Sequence, residues 1–286
     1  MDHRPRKRFG QNFLHDPGTI RRILAAVSPQ PGQHLVEIGP GQGALTEGLL
    51  ARTGVMDVVE IDRDLVGPLA QRLNALGELR IHNANALRFD LCQLLSGTRS
   101  QKPSPDSPRL RIVGNLPYNI STPLLFRFLD QAHCIDDLHL MLQKEVVDRI
   151  CADPGSKTYG RLSVMVQTWC SAERLLVIGP GAFNPPPKVD SAVVRLVPHR
   201  PLVCPVDDSD LHARIVSAAF AQRRKTLRNS LKGLVDSALL VECGLDPAAR
   251  AETIPVYAYA RLSNLAIARA SVARQSETRQ AGHERD

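Results

Sequence analysis

The chain has 286 residues, 43% of them apolar, which is enough for one large core and one smaller one. Its 36 Lys and Arg exceed 29 Asp and Glu, so the net charge is +7 and the pI is near 9.3; this balance favours polyanionic partners but gives no sequence specificity. Cysteines 92, 134, 151, 170, 204 and 243 are dispersed, without a C-x-x-C pair or histidines at ligand spacing, and no apolar run approaches the roughly 20 residues of a membrane span, so the expectation is reduced thiols, no metal and no membrane.

The chain opens with a basic arm, Arg4, Arg6, Lys7 and Arg8, and no signal-peptide apolar region follows it; a cytoplasmic location is expected. From about residue 18, helical periodicity alternates with short apolar runs, as in β-α-β units around a parallel sheet. The pattern predicts a helix over 18–27, a strand over 34–39, a glycine-rich turn and a helix over 43–52. A strand over 55–61, a helix over 64–75 and a short strand near 79–82 come next. Segment 96–108 carries three prolines and no periodicity, and reads as an exposed loop. A strand at 110–114 then leads into G-N-L-P-Y-N-I-S, and Pro123 opens a helix to about 132. A strand over 137–143, helices over 144–151 and 160–170, and strands near 173–178 and 191–197 complete the sheet, giving a first domain over 1–200.

Pro198, Pro201 and Pro205 mark a boundary, beyond which the strand signals stop. Residues 201–270 read as a small all-helical domain. Arg223, Arg224, Lys225, Arg228 and Lys232 form its basic surface, with Arg224, Arg228 and Lys232 spaced to share one helix face. The polar, aromatic-free tail 271–286 reads as disordered.

Chemistry concentrates at the strand ends. In E-I-G-P-G-Q-G, Glu37 to Gly43, glycines allow positive φ and close approach of a ligand to the backbone; the G-x-G-x-G spacing departs from the dinucleotide fingerprint. Glu60 ends the next strand, where an acid can accept both hydroxyls of a ribose, and Asn85 stands where an amide can meet an adenine amine. Each is equally readable in isolation as a solvated carboxylate or a turn Asn. In G-N-L-P-Y, the Asn115 side-chain carbonyl and the Leu116 backbone carbonyl can accept both N–H bonds of an exocyclic adenine amine. That lets the nitrogen pyramidalise and aim its lone pair, while Tyr118 stacks on the base. In F-N-P-P-P-K-V-D-S, the prolines can hold Phe183 as a second stacking face.

Taken together, F-G-Q-N-F-L at 9–14, E-I-G-P-G-Q-G at 37–43, V-E-I-D at 59–62, G-N-L-P-Y-N-I-S at 114–121, Y-G-R-L-S-V-M-V-Q at 159–167 and F-N-P-P-P-K-V-D-S at 183–191 resemble the ribosomal RNA adenine N6-dimethyltransferases, nearest to the bacterial small-subunit type. The resemblance spans about residues 8–270. It implies an α/β, Rossmann-like S-adenosylmethionine-dependent methyltransferase sheet with a C-terminal helical domain. The implied reaction transfers methyl groups to N6 of two adjacent adenosines in the 3′-terminal hairpin of 16S rRNA in the small ribosomal subunit.

By the same resemblance the cofactor contacts fall on Asn12, Leu14, Gly39, Glu60, Asn85 and Asn115, and the target base meets Asn115, Leu116, Tyr118 and Phe183. The basic helical surface is then the rRNA-positioning face of a monomer. Asn85 departs from the family pattern, which generally has Asp there; the carbonyl still accepts, without the charge. Two other readings stand beside this one: a small-subunit assembly factor in which methylation is secondary, and an adenine methyltransferase acting on 23S rRNA or DNA.

Overall fold

The computed structural model describes residues 11–95 and 108–283. The basic arm at 4–8 and most of the proline-bearing segment 96–108 lie outside the described residues. Helix α1 (Pro17–Val27) starts where Asp16 caps it, accepting from the Thr19 N–H at 2.6 Å, with Pro17 at the first helical position. Ile23, Leu24 and Val27 turn its apolar face inward.

Seven strands form the main sheet: β2 (His34–Ile38), β3 (Val55–Glu60), β4 (Glu78–Asn83), β5 (Leu110–Asn115), β6 (Ile135–Gln143), β7 (Cys170–Ile178) and β9 (Ser191–Pro198). Their order is β4-β3-β2-β5-β6-β9-β7. The first five are parallel, and their buried members read as near-continuous Val/Ile/Leu runs because helices cover both faces. Strand β9 runs antiparallel to β6, a reversal that the apolar pattern could not reveal, since direction leaves no mark on periodicity. Helices α2 (Thr46–Thr53), α3 (Arg63–Leu73), α4 (Ser121–Asp130) and α5 (Lys144–Ile150) follow β2, β3, β5 and β6. A separate two-stranded sheet pairs β1 (Phe13–Leu14) with β8 (Phe183–Asn184), Leu14 opposite Phe183. Strand order reverses between β2 and β5, which opens a crevice at the carboxyl edge between their ends.

The chain divides into two compact units, one running to Asp148 and resuming at Ser171–Pro198, the other comprising Arg149–Cys170 and everything from His199. The second unit therefore has an extra piece that the expected boundary near 200 had left in the sheet domain. The reason is aromatic: Tyr159 and Tyr259 both pack on Phe220, with centroids 6.0 and 5.8 Å away. Its helices are α6 (Arg161–Gln167), α7 (Ser209–Phe220), α8 (Leu227–Ser230), α9 (Ser237–Glu242) and α10 (Val256–His283). Buried His212 ties three of its segments, contacting Ser263 Oγ at 3.0 Å and Thr168 Oγ1 at 3.2 Å.

Three further expectations need correcting. Helix α7 ends at Phe220, so Arg223, Arg224 and Lys225 lie on a turn, Arg228 on the short α8 and Lys232 beyond it; all five are exposed, but they share no helix face. Helix α10 carries on through His283, into the stretch expected to be disordered, because Ala, Arg, Gln and Glu are strong helix formers and no proline interrupts them; residues 284–286 lie outside the described residues. Cys92 and Cys134, 42 residues apart, are joined in a disulfide instead of remaining reduced. Cys170, Cys204 and Cys243 keep free thiols, as expected.

Candidate functional site

The crevice at the carboxyl edge of β2, β3 and β5 holds a cavity of about 280 Å³. The turn after β2 forms its floor. Gly39, Gly41 and Gly43 have φ of 66°, 57° and 79°, a region in which a side chain is strained. The space is equally demanding: a Cβ on Gly41 would fall 3.0 Å from the Phe13 ring, and one on Gly43 would meet Leu69 and Arg72 at 2.5 Å. The Arg72 guanidinium also donates to the Gln42 carbonyl, fixing the turn from the α3 side. Backbone thus lies open to a ligand where side chains would close it.

Two carboxylates flank this turn. Glu60, at the end of β3, is buried and accepts from the Gly41 N–H at 3.2 Å through Oε2 and from the Asp62 N–H at 2.8 Å through Oε1. Each oxygen keeps lone-pair capacity for a hydroxyl. Burial raises its pKa, against those two bonds. Glu37, whose role the sequence left open, is 2% exposed and accepts from Thr46 Oγ1 at 2.6 Å; burial pushes its carboxyl up to about 7, with Glu60 adding to the rise.

A raised carboxyl pKa means that the folded form favours the proton. Glu37 therefore contributes stability that is fully present below about pH 4.5 and lost as pH climbs through 7. Chemical unfolding measured from pH 4.5 to 7.5 is expected to show this loss, on the order of 1–3 kcal/mol, and Glu37→Gln to flatten it. An identical slope in the variant would refute the assignment.

The cavity gathers most of the residues expected from sequence. Asn12, Leu14, Gly39, Glu60, Asn85, Asn115, Leu116 and Tyr118 all line it. Asn115 Nδ2 donates to the Asn12 carbonyl at 3.0 Å, which fixes which end of the amide is which: nitrogen toward the N-terminal strand, Oδ1 away from it. The Tyr118 hydroxyl lies 2.6 Å from Ser191 Oγ, and burial raises its pKa. Asn85 Oδ1 accepts from the Leu87 N–H at 3.0 Å, making a tight local turn at the rim.

Phe183 is the exception. It is not among the residues that line the cavity: it is 3% exposed, stands opposite Leu14 in the β1–β8 pairing and belongs with Leu14, Ala182 and Val193 to the buried core. Ser191 went unrecognised within F-N-P-P-P-K-V-D-S; its spacing from Phe183 carried no sign of the tyrosine it would meet.

Among known protein families, the one described as ribosomal RNA adenine dimethylase matches residues 2–268. A ribosomal RNA small subunit methyltransferase A of Pseudomonas putida is 55% identical over 262 residues, 92% of this chain and 95% of that one. The protein of the same name in Hydrogenovibrio crunogenus is 54% identical, covering 92% and 97%. Among solved structures, a dimethyladenosine transferase from Plasmodium falciparum aligns with TM-score 0.72 at 22% identity, covering 87% of this chain and 95% of that one. The 23S rRNA methyltransferase ErmE aligns with TM-score 0.66 at 25% identity, covering 89% and 99%.

Proposed function

The chain belongs to the ribosomal RNA adenine dimethylase family, and on that premise we propose how its own residues carry out the family's reaction. It is an S-adenosylmethionine-dependent enzyme that dimethylates adenine in ribosomal RNA. When bound, S-adenosylmethionine supplies an electrophilic methyl group on a sulfonium. The positive-φ turn at 39–43 and Glu60 suit its amino-acid and ribose parts, and Asn12, Leu14 and Asn85 complete the pocket.

The observation that carries the base-binding role is the fixed amide of Asn115 beside Leu116 and Tyr118. Asn115 Oδ1 and the Leu116 carbonyl accept the two N–H bonds of the target amine, drawing the nitrogen out of conjugation. Tyr118, held by Ser191, stacks on the ring. The nitrogen becomes acidic once alkylated, so its proton leaves to water without a strongly perturbed base.

For the substrate we take two adjacent adenosines in the 3′-terminal hairpin of the small-subunit rRNA, and we take the chain to act in the cytoplasm as a monomer that needs no metal. The names of the relatives at 54–55% identity support the small subunit over the large one. Incubation with labelled S-adenosylmethionine and, separately, small subunits, large subunits, naked rRNA and DNA tests this. Label on adenine N6 of small-subunit rRNA is expected. Label on large subunits would move the assignment to 23S rRNA, and label on cytosine or protein would end it.

Asn85→Asp replaces a neutral acceptor with a charged one, and cofactor affinity by calorimetry should rise roughly fivefold, as a charge-assisted bond is about twice as strong. Charge reversal at exposed Arg224 and Arg228 should weaken binding to small subunits and flatten its salt dependence by about one unit of slope for each phosphate no longer neutralised. An unchanged salt slope would remove the exposed basic turn from the RNA interface. Arg223 is a poorer choice for that test, because its guanidinium donates to the Lys157 carbonyl at 3.0 Å and lies 3.6 Å from Glu252.

A further inference from the structure

Outside the residues that line the cofactor pocket, the side chains of Cys92, His133 and Cys134 meet. Cys92 lies in a 3-10 turn (Leu91–Leu95), and Cys134 ends the turn after α4. The two are bonded, and His133 Nε2 lies 3.3 Å from Cys92 Sγ. Cys134 is buried, Cys92 half-buried and His133 exposed, so Cys92 is the more accessible of the two cysteines.

We propose that Cys92, Cys134 and His133 form a reversible thiol–disulfide site whose oxidised state fixes the Asn85 wall of the pocket and tightens S-adenosylmethionine binding. The inference rests on the cofactor reading given above. A cation between the sulfurs is the competing use of the same donors, whose ligand atoms all lie within 4.8 Å of one another. Sulfurs bonded to each other have no thiolate to offer it.

The coupling to the pocket is short. Phe89 and Arg88 donate their N–H groups to the Asn85 carbonyl at 3.0 and 2.9 Å, so residues 85–89 form a compact turn that transmits a restraint from Cys92 toward the cofactor wall. Without the disulfide, this segment is held to α4 and the turn after it by polar contacts: the Leu91 N–H donating to Gln131 Oε1 at 2.7 Å and Arg127 reaching the Phe89 carbonyl at 3.4 Å. With it, the segment is covalently joined to the turn that directly follows α4, the helix that places Leu124 on the pocket. A wall that is already ordered loses less freedom when the ligand binds.

The chemistry balances with a low-molecular-weight disulfide as oxidant. The Cys92 thiol gives its proton to His133 Nε2, and the thiolate attacks one sulfur of the oxidant, releasing one small thiolate and leaving a mixed disulfide. Cys134 then displaces the second small thiolate from Cys92 and closes the protein bond. Two protein thiols are oxidised and one external disulfide is reduced to two thiols; a dithiol reductant reverses the exchange. In a reducing compartment such pairs are commonly transient and redox-sensing, and the half-buried Cys92, beside exposed His133, is placed for that use.

The test takes the full-length protein through glutathione disulfide and then dithiothreitol, alkylates free thiols and maps them by mass spectrometry. In parallel, S-adenosylmethionine affinity is measured in each state. A Cys92–Cys134 bond that forms and reverses, with affinity roughly threefold to tenfold higher when oxidised, is the expected result. Cys134→Ser should hold one affinity throughout, and His133→Gln should form the same bond more slowly. The proposal is overturned if both cysteines stay alkylatable, if the native bond resists the reductant, or if the bond forms without changing affinity. Absence of cofactor binding in either state would instead defeat the cofactor reading, while the thiol map would still decide whether the pair exists.

Discussion

Replacing Asn115 with alanine is expected to cut single-turnover methyl transfer by about a hundredfold or more, the usual cost of deleting one group that meets the reacting centre. On the proposed base-binding role the variant removes Oδ1 from the target amine, and it also frees the Asn12 carbonyl that Nδ2 holds at 3.0 Å. Cofactor affinity must therefore be measured beside the rate. A fall in rate at saturating cofactor identifies the amine contact; a change confined to cofactor affinity would reduce Asn115 to a strut for the N-terminal strand. Tyr118 separates stacking from anchoring in the same way. Tyr118→Phe keeps the ring and gives up only the 2.6 Å contact with Ser191, so most of the rate should survive. Tyr118→Ala removes the stack, worth about 1–3 kcal/mol, and should slow transfer roughly 5- to 150-fold.

The motifs were legible because each sits where a strand ends and side-chain chemistry is not dictated by packing. The glycine spacing announced the cradle, and Glu60 and Asn115 followed from their positions after apolar runs. What stayed hidden was every relation between distant segments. The bond from Asn115 to Asn12 spans 103 residues and is made to a backbone carbonyl, which has no residue type to recognise. Phe183 read as a pocket wall because an aromatic among prolines suits one, yet it stands opposite Leu14 within the buried core. The second unit misled for a related reason: Tyr159 belongs with Phe220 by contact, although strands β7, β8 and β9 stand between them in the chain. Local periodicity carries no information about such partners.

Arg111 offers the sharpest test of how the sheet is held together. A charge in the middle of the buried strand L-R-I-V-G breaks the apolar pattern, and the register explains it: Arg111 stands opposite Asp137 of β6. Its Nε and Nη2 donate to the two Asp137 oxygens at 2.8 and 2.9 Å. Nη2 also reaches the Val27 carbonyl at 2.8 Å, and Nη1 reaches Gln33 Oε1 at 2.6 Å. One guanidinium thus closes the C-terminus of α1 onto two strands. Nearby His139 has its pKa pushed down to about 4, chiefly by burial, with Arg111 and Arg195 adding to the fall.

Arg111→Leu should destabilise the sheet unit by about 3 kcal/mol in urea unfolding, since buried Asp137 loses both guanidinium bonds and keeps only Arg195, 3.5 Å away. Asp137→Asn should cost less, because the guanidinium retains the Val27 carbonyl and Gln33. Pairing Arg111→Leu with Asp137→Leu should recover part of the loss, the behaviour of a buried ion pair whose removal as a unit is milder than its halving. A double variant no better than Arg111→Leu alone would show that the α1 contacts, not the ion pair, carry the energy. Because Arg111 lies about 13 Å along β5 from Asn115, methyl transfer per folded molecule should be nearly unchanged. Loss of rate in step with loss of stability would mean instead that the pocket geometry depends on the whole length of that strand.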